Sequence, residues 1–277
     1  MKNNISSNQH CCNGIKDIPK MIHYVWLGGT PKSAEMIKCI ESWKKYMPEY
    51  EIIEWNENNF DINIIEYSKE AYFQKKWAFV SDVVRTYVLK EYGGVYFDTD
   101  VELFDEPENI FKNASCVLGF ENKFLLTTAM MASVPHHPIF ESLWDSFEKS
   151  HFKDSRTECT INTRLTFTVV DYLNKRRLTN NCYEIQNVRF LSQKYISNDS
   201  DTQPIFAVHH FFGSWKDKTR LTFWQFQWFI FKFRLLRVFS VFMGNKSYIR
   251  INDNLWKNAL KLTFENIEKG RKIYKVL

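Results

Sequence analysis

The stretch EYGGVYFDTDVEL, Glu91 to Leu103, sets two carboxylates, Asp98 and Asp100, one residue apart at the end of an apolar run. Aspartates often close loops by hydrogen-bonding their own backbone, so the spacing alone says little. Here a hydrophobic run delivers both carboxylates to one place. They suit a hard cation, which takes carboxylates, waters and phosphate oxygens together. Without a cation, two close carboxylates repel each other and one is driven to hold a proton. A metal ion that also carries a diphosphate removes that conflict. Upstream, Asp82 and Arg85 stand at i,i+3, either as a solvated helix pair worth roughly 0.2–0.5 kcal/mol or as a grip on a ligand. Downstream, FAVHHFFGSW (Phe206–Trp215) ends an apolar run in His209 and His210. Alternation along a strand sends one of these two toward any given cleft, and a single buried histidine is more often structural than a ligand.

The elements that must position these groups read as α/β. MIHYVWLGG (Met21–Gly29) is a buried strand ending at paired glycines, and Thr30-Pro31 then offers an N-cap and a first-turn proline. The helix that follows carries Ile37, Ile40, Trp43 and Met47 along one side, and Tyr50–Trp55 is a second strand. Strand, helix, strand is the start of a parallel sheet with helices on its faces. A strong helix is expected over Lys76–Tyr92, with Val80, Val83, Val84, Tyr87 and Val88 as its core stripe and Asp82 and Arg85 projecting from the opposite side. Gly93-Gly94 stops it. VYFDTDVEL is then the next strand, which puts both aspartates at a strand's carboxyl end, where open α/β sheets place their ligands. Tyr24, Val25 and Trp26 form a flat apolar surface that suits a stacked base or, equally, a core.

Composition agrees with a folded chain. Of its 277 residues 25% are charged and 44% hydrophobic, enough for a sizeable core. The net charge of +5 fits a phosphate-bearing partner without singling out nucleic acid, and none is expected. Six cysteines show no CxxC pair and no regular spacing, which indicates neither zinc nor a disulfide framework and suits a reducing cytoplasm. The first twenty residues lack the apolar core of a signal peptide and read as a loose arm. No uncharged run of about 18 apolar residues suggests a transmembrane helix.

The segments IPKMIHYVWLGG, KKWAFVSDVVRTYVLKEYGGVYFDTDVEL and AVHHFFGSW, in that order between Ile18 and Trp215, resemble the DxD glycosyltransferases of GT-A fold. The nearest likeness is to the glycosyltransferase 32 family, related to the glucosyltransferase domains of large clostridial toxins. The resemblance implies a GT-A catalytic domain over 18–215, after a loose arm (1–17) and before a helical extension (216–277). It implies that Val25 and Trp26 cradle a uracil with Trp77 on its other side, and that Asp82 and Arg85 grip the donor sugar. The same resemblance implies that Tyr96 lies beside the diphosphate, that Asp98 reaches the ribose and sugar, and the metal through water, and that Asp100 binds the metal directly. It further implies that His209, in preference to His210, completes the metal's shell and that Ser214 and Trp215 close over the diphosphate. One stretch departs from the family: Glu158–Val170 has Ile161-Asn162 after Thr160 where Thr-Gly-Pro is expected, in a region that shapes the acceptor site.

The reaction so implied is Mn²⁺- or Mg²⁺-dependent, retaining transfer of a hexose from a UDP-sugar to a glycan hydroxyl. Two other classes compete: an aspartyl-nucleophile phosphohydrolase and a non-catalytic sugar-nucleotide or glycan binder. The hydrolase motif continues with threonine or valine two residues past its second aspartate, where this chain has Glu102. In the extension, Trp224, Trp228, Phe231, Leu235, Val238 and Phe242 recur at steps of four and three, a helical stripe. Phe223, Phe226, Ile230 and Phe233 make the outer side apolar too, and Arg234, Arg237, Lys216, Lys218 and Arg220 are interleaved or adjacent. A helix packed on the core accounts for the stripe alone. The whole pattern suits a helix lying on an anionic membrane. The expected setting is therefore peripheral, on the inner face of a bacterial plasma membrane, with a lipid-linked glycan as acceptor in surface polysaccharide synthesis.

Overall fold

A computed structural model describes residues 17–107, 109–122, 125–152, 160–175, 178–197 and 205–211. Its larger sheet contains β1 (Met21–Val25), β2 (Glu51–Trp55), β3 (Gly94–Phe97), β5 (Cys116–Phe120), β6 (Leu126–Ser133), β7 (Tyr183–Ile185) and β8 (Val188–Leu191), in the order β2-β1-β3-β6-β5-β8-β7. A smaller sheet takes β4 (Val101–Leu103), β10 (Ala207–His209) and β9 (Ile196–Ser197), with β10 in the middle. The helices are α1 (Ala34–Tyr46), α2 (Glu66–Phe73), α3 (Trp77–Glu91), α4 (Pro138–Glu148) and α5 (Ile161–Tyr172). The α/β architecture expected from the sequence is therefore present, with a mixed sheet.

The first half of the large sheet is parallel: β1 pairs with β2 and with β3. From β3 onward antiparallel pairs enter, β3 with β6 and β6 with β5. The central strands β3, β5 and β6 are buried at every position, as continuous apolar runs require when both faces are covered. Helices α2, α3, α4 and α5 pack on one face around Val80, Val84, Phe140, Leu143 and Leu165. On the other face α1 and the small sheet enclose Trp43, Val95, Phe97, Val101 and Ala207.

Several expected details change. The first helix starts at Ala34, capped by the Ser33 hydroxyl, three residues after the proposed Thr30-Pro31 cap. Its buried side is Met36, Cys39, Ile40 and Trp43, while Ile37 is half exposed. VYFDTDVEL is two strands in different sheets: Val101 N–H donates to Asp98 O at 3.0 Å, closing a turn over Asp98–Val101. The Gly93-Gly94 stop holds, with φ of 67° and 86°. A Cβ at these positions would lie 2.6 Å from Ser133 O and 2.8 Å from Met21 O, so the close approach requires glycine.

Candidate functional site

Strand alternation builds the site. On β3, Val95 and Phe97 face the α1 side, so Tyr96 and the following Asp98 face α3. The Tyr96 hydroxyl donates to Asp98 Oδ1 at 2.9 Å. Asp98 N–H donates to Ala129 O on β6, which carries the strand's ladder to the edge of the turn. Arg85 comes down from α3 above Tyr96, its guanidinium carbon 4.7 Å from the ring centroid. Its Nη1 lies 3.0 Å from Asp98 Oδ1 and donates to Thr128 O at 3.1 Å, and its Nη2 donates to Ser81 Oγ at 2.9 Å. Arg85 is 6% exposed, which corrects the expectation that it projects away from the core. The opposite side of α3 is covered as well, so a charge there is buried and paired.

Asp82 is the less compensated carboxylate. Arg85 Nη2 stands 3.5 Å from its Oδ1, longer than the contact that Arg85 makes with Asp98. Burial pushes the Asp82 carboxyl up to about 7, against the pull of Arg85. Tyr96 is driven well above its ordinary range, by burial first.

The Asp82 shift predicts a pH dependence. An unfolded aspartate titrates near 4, so between about pH 4 and 7 the folded chain holds the extra proton. Stability then falls as pH rises through that window. Asp82→Asn should remove this loss, leaving the variant the more stable at pH 8 by on the order of 2–4 kcal/mol relative to its standing at pH 4. Thermal melts at pH 4, 6 and 8 check it. Parallel curves for the two proteins would show that folding leaves the Asp82 titration unshifted.

Asp100 sits in the turn, and His209 reaches it from the end of β10, Nε2 to Oδ1 at 3.2 Å. Burial works to lower the His209 pKa, but the Asp100 carboxylate outweighs it and the net direction is up. Asp98, Asp100 and His209 offer ligand atoms all within 4.8 Å of one another, the one such group of three among the described residues. Two carboxylates and an imidazole fit a divalent cation of the Mn²⁺ or Mg²⁺ kind. His210 turns the other way, its Nε2 2.9 Å from Glu102 Oε2.

Three participants were not singled out from the sequence. Thr128 on β6 donates through its hydroxyl to Asn162 Oδ1 at 3.0 Å, and Asn162 on α5 donates in turn to Glu121. Asn162 lies in the stretch that departs from Thr-Gly-Pro, which was its only signal. Glu121 directly follows β5 and Thr128 lies on β6, and the sequences of these strands carry no motif. The remaining expected residues are spread along the carboxyl end of β1. Val25 is buried toward α3, whereas Trp26 packs on the α1 side, its indole N–H donating to Thr30 O at 2.6 Å. Trp77, at the start of α3, lies against Gly28 and edge-on to Tyr72, ring centroids 5.0 Å apart. A pocket of about 300 Å³ opens beside Tyr72, lined by Glu57, Ile62, Asn63, Lys69 and Phe73, not over the carboxylates. Ser214 and Trp215 lie outside the described residues, as does the whole of 216–277.

Residues 33–117, which hold Asp82, Arg85, Asp98 and Asp100, match the family described as the glycosyltransferase sugar-binding region containing a DXD motif. The chain is 30% identical over 157 residues to inositol phosphoceramide mannosyltransferase 2 of Schizosaccharomyces pombe (strain 972 / ATCC 24843), a match covering 50% of this chain and 41% of that protein. It thus spans less than half the length of that relative. Among solved structures it is similar to PaToxG glycosyltransferase, with 17% identity, 57% of this chain and 70% of that one covered, and a TM-score of 0.49. The glycosyltransferase domain of the YGT toxin is also similar, with 12% identity, 56% and 64% covered, and a TM-score of 0.35.

Proposed function

We propose that this chain is a metal-dependent, retaining glycosyltransferase of the glycosyltransferase 32 type, with a GT-A catalytic domain over 18–215. It moves a hexose from a UDP-sugar to a hydroxyl of a glycan acceptor. The observation that carries the reading is the convergence of Asp98, Asp100 and His209 beside the Asp82–Arg85 pair, within and next to the matched DXD region.

A divalent cation held by these three side chains supplies charge neutralisation for the departing nucleoside diphosphate. The chain's own residues do the rest. Arg85 is fixed by Asp98, Thr128 and Ser81 before any donor arrives, so its charge needs no reorganisation. Asp82 and Arg85 take hydroxyls of the donor sugar, Tyr96 lies along the diphosphate, and the base is assigned to the carboxyl end of β1 and the start of α3, where Val25 and Trp77 lie on one side of the sheet and Trp26 on the other. Ser214 and Trp215 close the site. Asp98 is committed to Tyr96 and Arg85, which leaves it ill suited to attack a sugar or a phosphate. A front-face displacement follows, with a phosphate oxygen of the leaving group accepting the acceptor's proton. The same commitment weighs against the aspartyl phosphohydrolase, and Glu102 is tied to Lys38 and His210 instead.

The acceptor proposed is lipid-linked, on the cytoplasmic leaflet of a bacterial plasma membrane, with 216–277 resting on anionic headgroups. Its support is the aromatic and basic pattern of that tail. The name of the yeast relative adds to it, giving a ceramide lipid as acceptor and mannose as the sugar. Nucleotide-activated mannose therefore joins UDP-glucose, UDP-galactose and UDP-N-acetylglucosamine in the donor panel. Release of free nucleoside diphosphate from one donor, abolished by EDTA and restored by Mn²⁺, is the expected result. A folded protein that turns over none of them refutes the transferase, and one indifferent to EDTA refutes the metal. Cosedimentation with anionic vesicles at low salt is the matching test of the tail.

A further inference from the structure

Two histidines in a row, one ending a short strand and one just past it, raise the question of what the second one does. His209 points at Asp100, while alternation turns His210 to the opposite face of the small sheet. There the Glu102 carboxylate, its side chain only 10% exposed, receives His210 Nε2 at 2.9 Å and Lys38 Nζ at 2.8 Å. The backbone repeats the connection, because His210 N–H donates to Asp100 O at 2.9 Å. Glu102 thus holds His210, a residue that adjoins His209 in the chain and is hydrogen-bonded to the backbone of Asp100.

β4 is itself immobilised from below by one side of α1. Lys38 holds Glu102, the Ser42 hydroxyl accepts from Leu103 N–H at 2.9 Å, and Trp43 Nε1 donates to Val101 O at 2.7 Å. Lys38 and Ser42, four residues apart, are neighbours on one face, and Trp43 is the next residue round the helix. β10 is likewise three residues long; it meets β4 in three antiparallel positions, Ala207↔Leu103, Val208↔Glu102 and His209↔Val101, and β9 in two parallel ones. Ladders that short, and without the fixed helix contacts of β4, gain little alone. A charge-assisted contact just beyond the end of β10 is well placed to set its register.

We propose that Glu102 is a positioning residue, which with His210 clamps the end of β10 to the α1–β4 platform and so holds His209 against Asp98 and Asp100. The inference rests on the proposed metal centre. Glu102 touches neither donor nor cation; it acts through His209.

The test is a titration of the purified full chain with Mn²⁺ alone, reading free ion by electron paramagnetic resonance. Glu102→Gln is expected to weaken Mn²⁺ binding by about tenfold, the lower end of what supporting residues contribute at metal sites. His210→Ala should do the same. His210→Gln, whose amide can still donate to Glu102, should recover most of the affinity. In a His209→Ala background, Glu102→Gln should cost nothing further. Unchanged Mn²⁺ affinity in Glu102→Gln, or an equal loss with and without His209, overturns the proposal while leaving the metal centre standing. If Glu102→Gln does not fold, the His210 pair decides, and equal binding by its Ala and Gln forms overturns the proposal. An unaltered chain that binds no Mn²⁺ overturns the metal centre and this inference together.

Discussion

Arg85→Ala is expected to lower both sugar transfer and stability, and by large amounts. The side chain is 6% exposed and stands between two carboxylates, 3.0 Å from Asp98 and 3.5 Å from Asp82. Removing it leaves both partly buried acids without their cation and frees Thr128 O and Ser81 from their donor. Breaking a buried pair from one side typically costs about 3–5 kcal/mol. In a chain of this size that is a fall of roughly 10 °C in melting temperature. Transfer should fall by at least about 100-fold, as when a preorganised donor is taken from a developing charge. Arg85→Lys separates the two effects. The ammonium keeps a charge near Asp98 but cannot also span Thr128 and Ser81, so stability should partly return while turnover stays low. Thermal melts beside nucleotide-release assays check this. A variant with Ala that melts normally would mean that the guanidinium is solvated, and normal turnover would remove it from the site.

Much of this arrangement was legible because it rests on local pattern. The run MIHYV and the α3 stripe are buried in the way that their periods require, and Gly93-Gly94 ends α3 through positive φ. The failures have a common origin in packing that no local window contains. Arg85 reads as an exposed residue on a helical wheel because a wheel shows one core face. α3 has a second cover in α2 and α4, so its polar residues are buried where partners from β3 and β6 exist. VYFDTDVEL reads as one strand since the valines, tyrosine, phenylalanine and threonine that dominate it favour extended backbone. The break at Asp98–Asp100 is made by β4 leaving for a second sheet, with β10 as its partner from far along the chain. The two aspartates therefore stand in a turn closed through the backbone and are candidate ligands at once. His209 was separable from His210 by alternation in principle. Which of them faces the carboxylates needed the register of β10 on β4. Glu121 and Thr128 had no signal at all, being ordinary residues just after β5 and on β6, strands that the large sheet brings alongside.

The second large effect is expected at Asp100. Asp100→Asn keeps the shape of the side chain and its place in the turn closed by Val101 N–H on Asp98 O. It removes one of two negative charges in a cluster whose ligand atoms lie within 4.8 Å of one another. With no cation bound, that removal relieves repulsion between neighbouring carboxylates and leaves His209 a neutral oxygen to contact, so the two changes offset each other and melting should shift far less than in Arg85→Ala. With a cation the balance reverses. A neutral amide oxygen is a poorer ligand for a hard divalent ion than a carboxylate, and the charge stabilisation at the leaving diphosphate, worth several kcal/mol, depends on that ion staying in place. Turnover should fall by roughly 1,000-fold or more, the equivalent of about 4 kcal/mol. The stabilisation that Mn²⁺ gives the unaltered protein in a thermal melt should disappear at the same concentration. The melt and the assay fail in different ways. A variant that keeps Mn²⁺-dependent turnover within tenfold places the metal on other residues. One that loses turnover but still gains stability from Mn²⁺ keeps the metal on Asp98 and His209, and gives Asp100 a part in the chemistry beyond holding the ion.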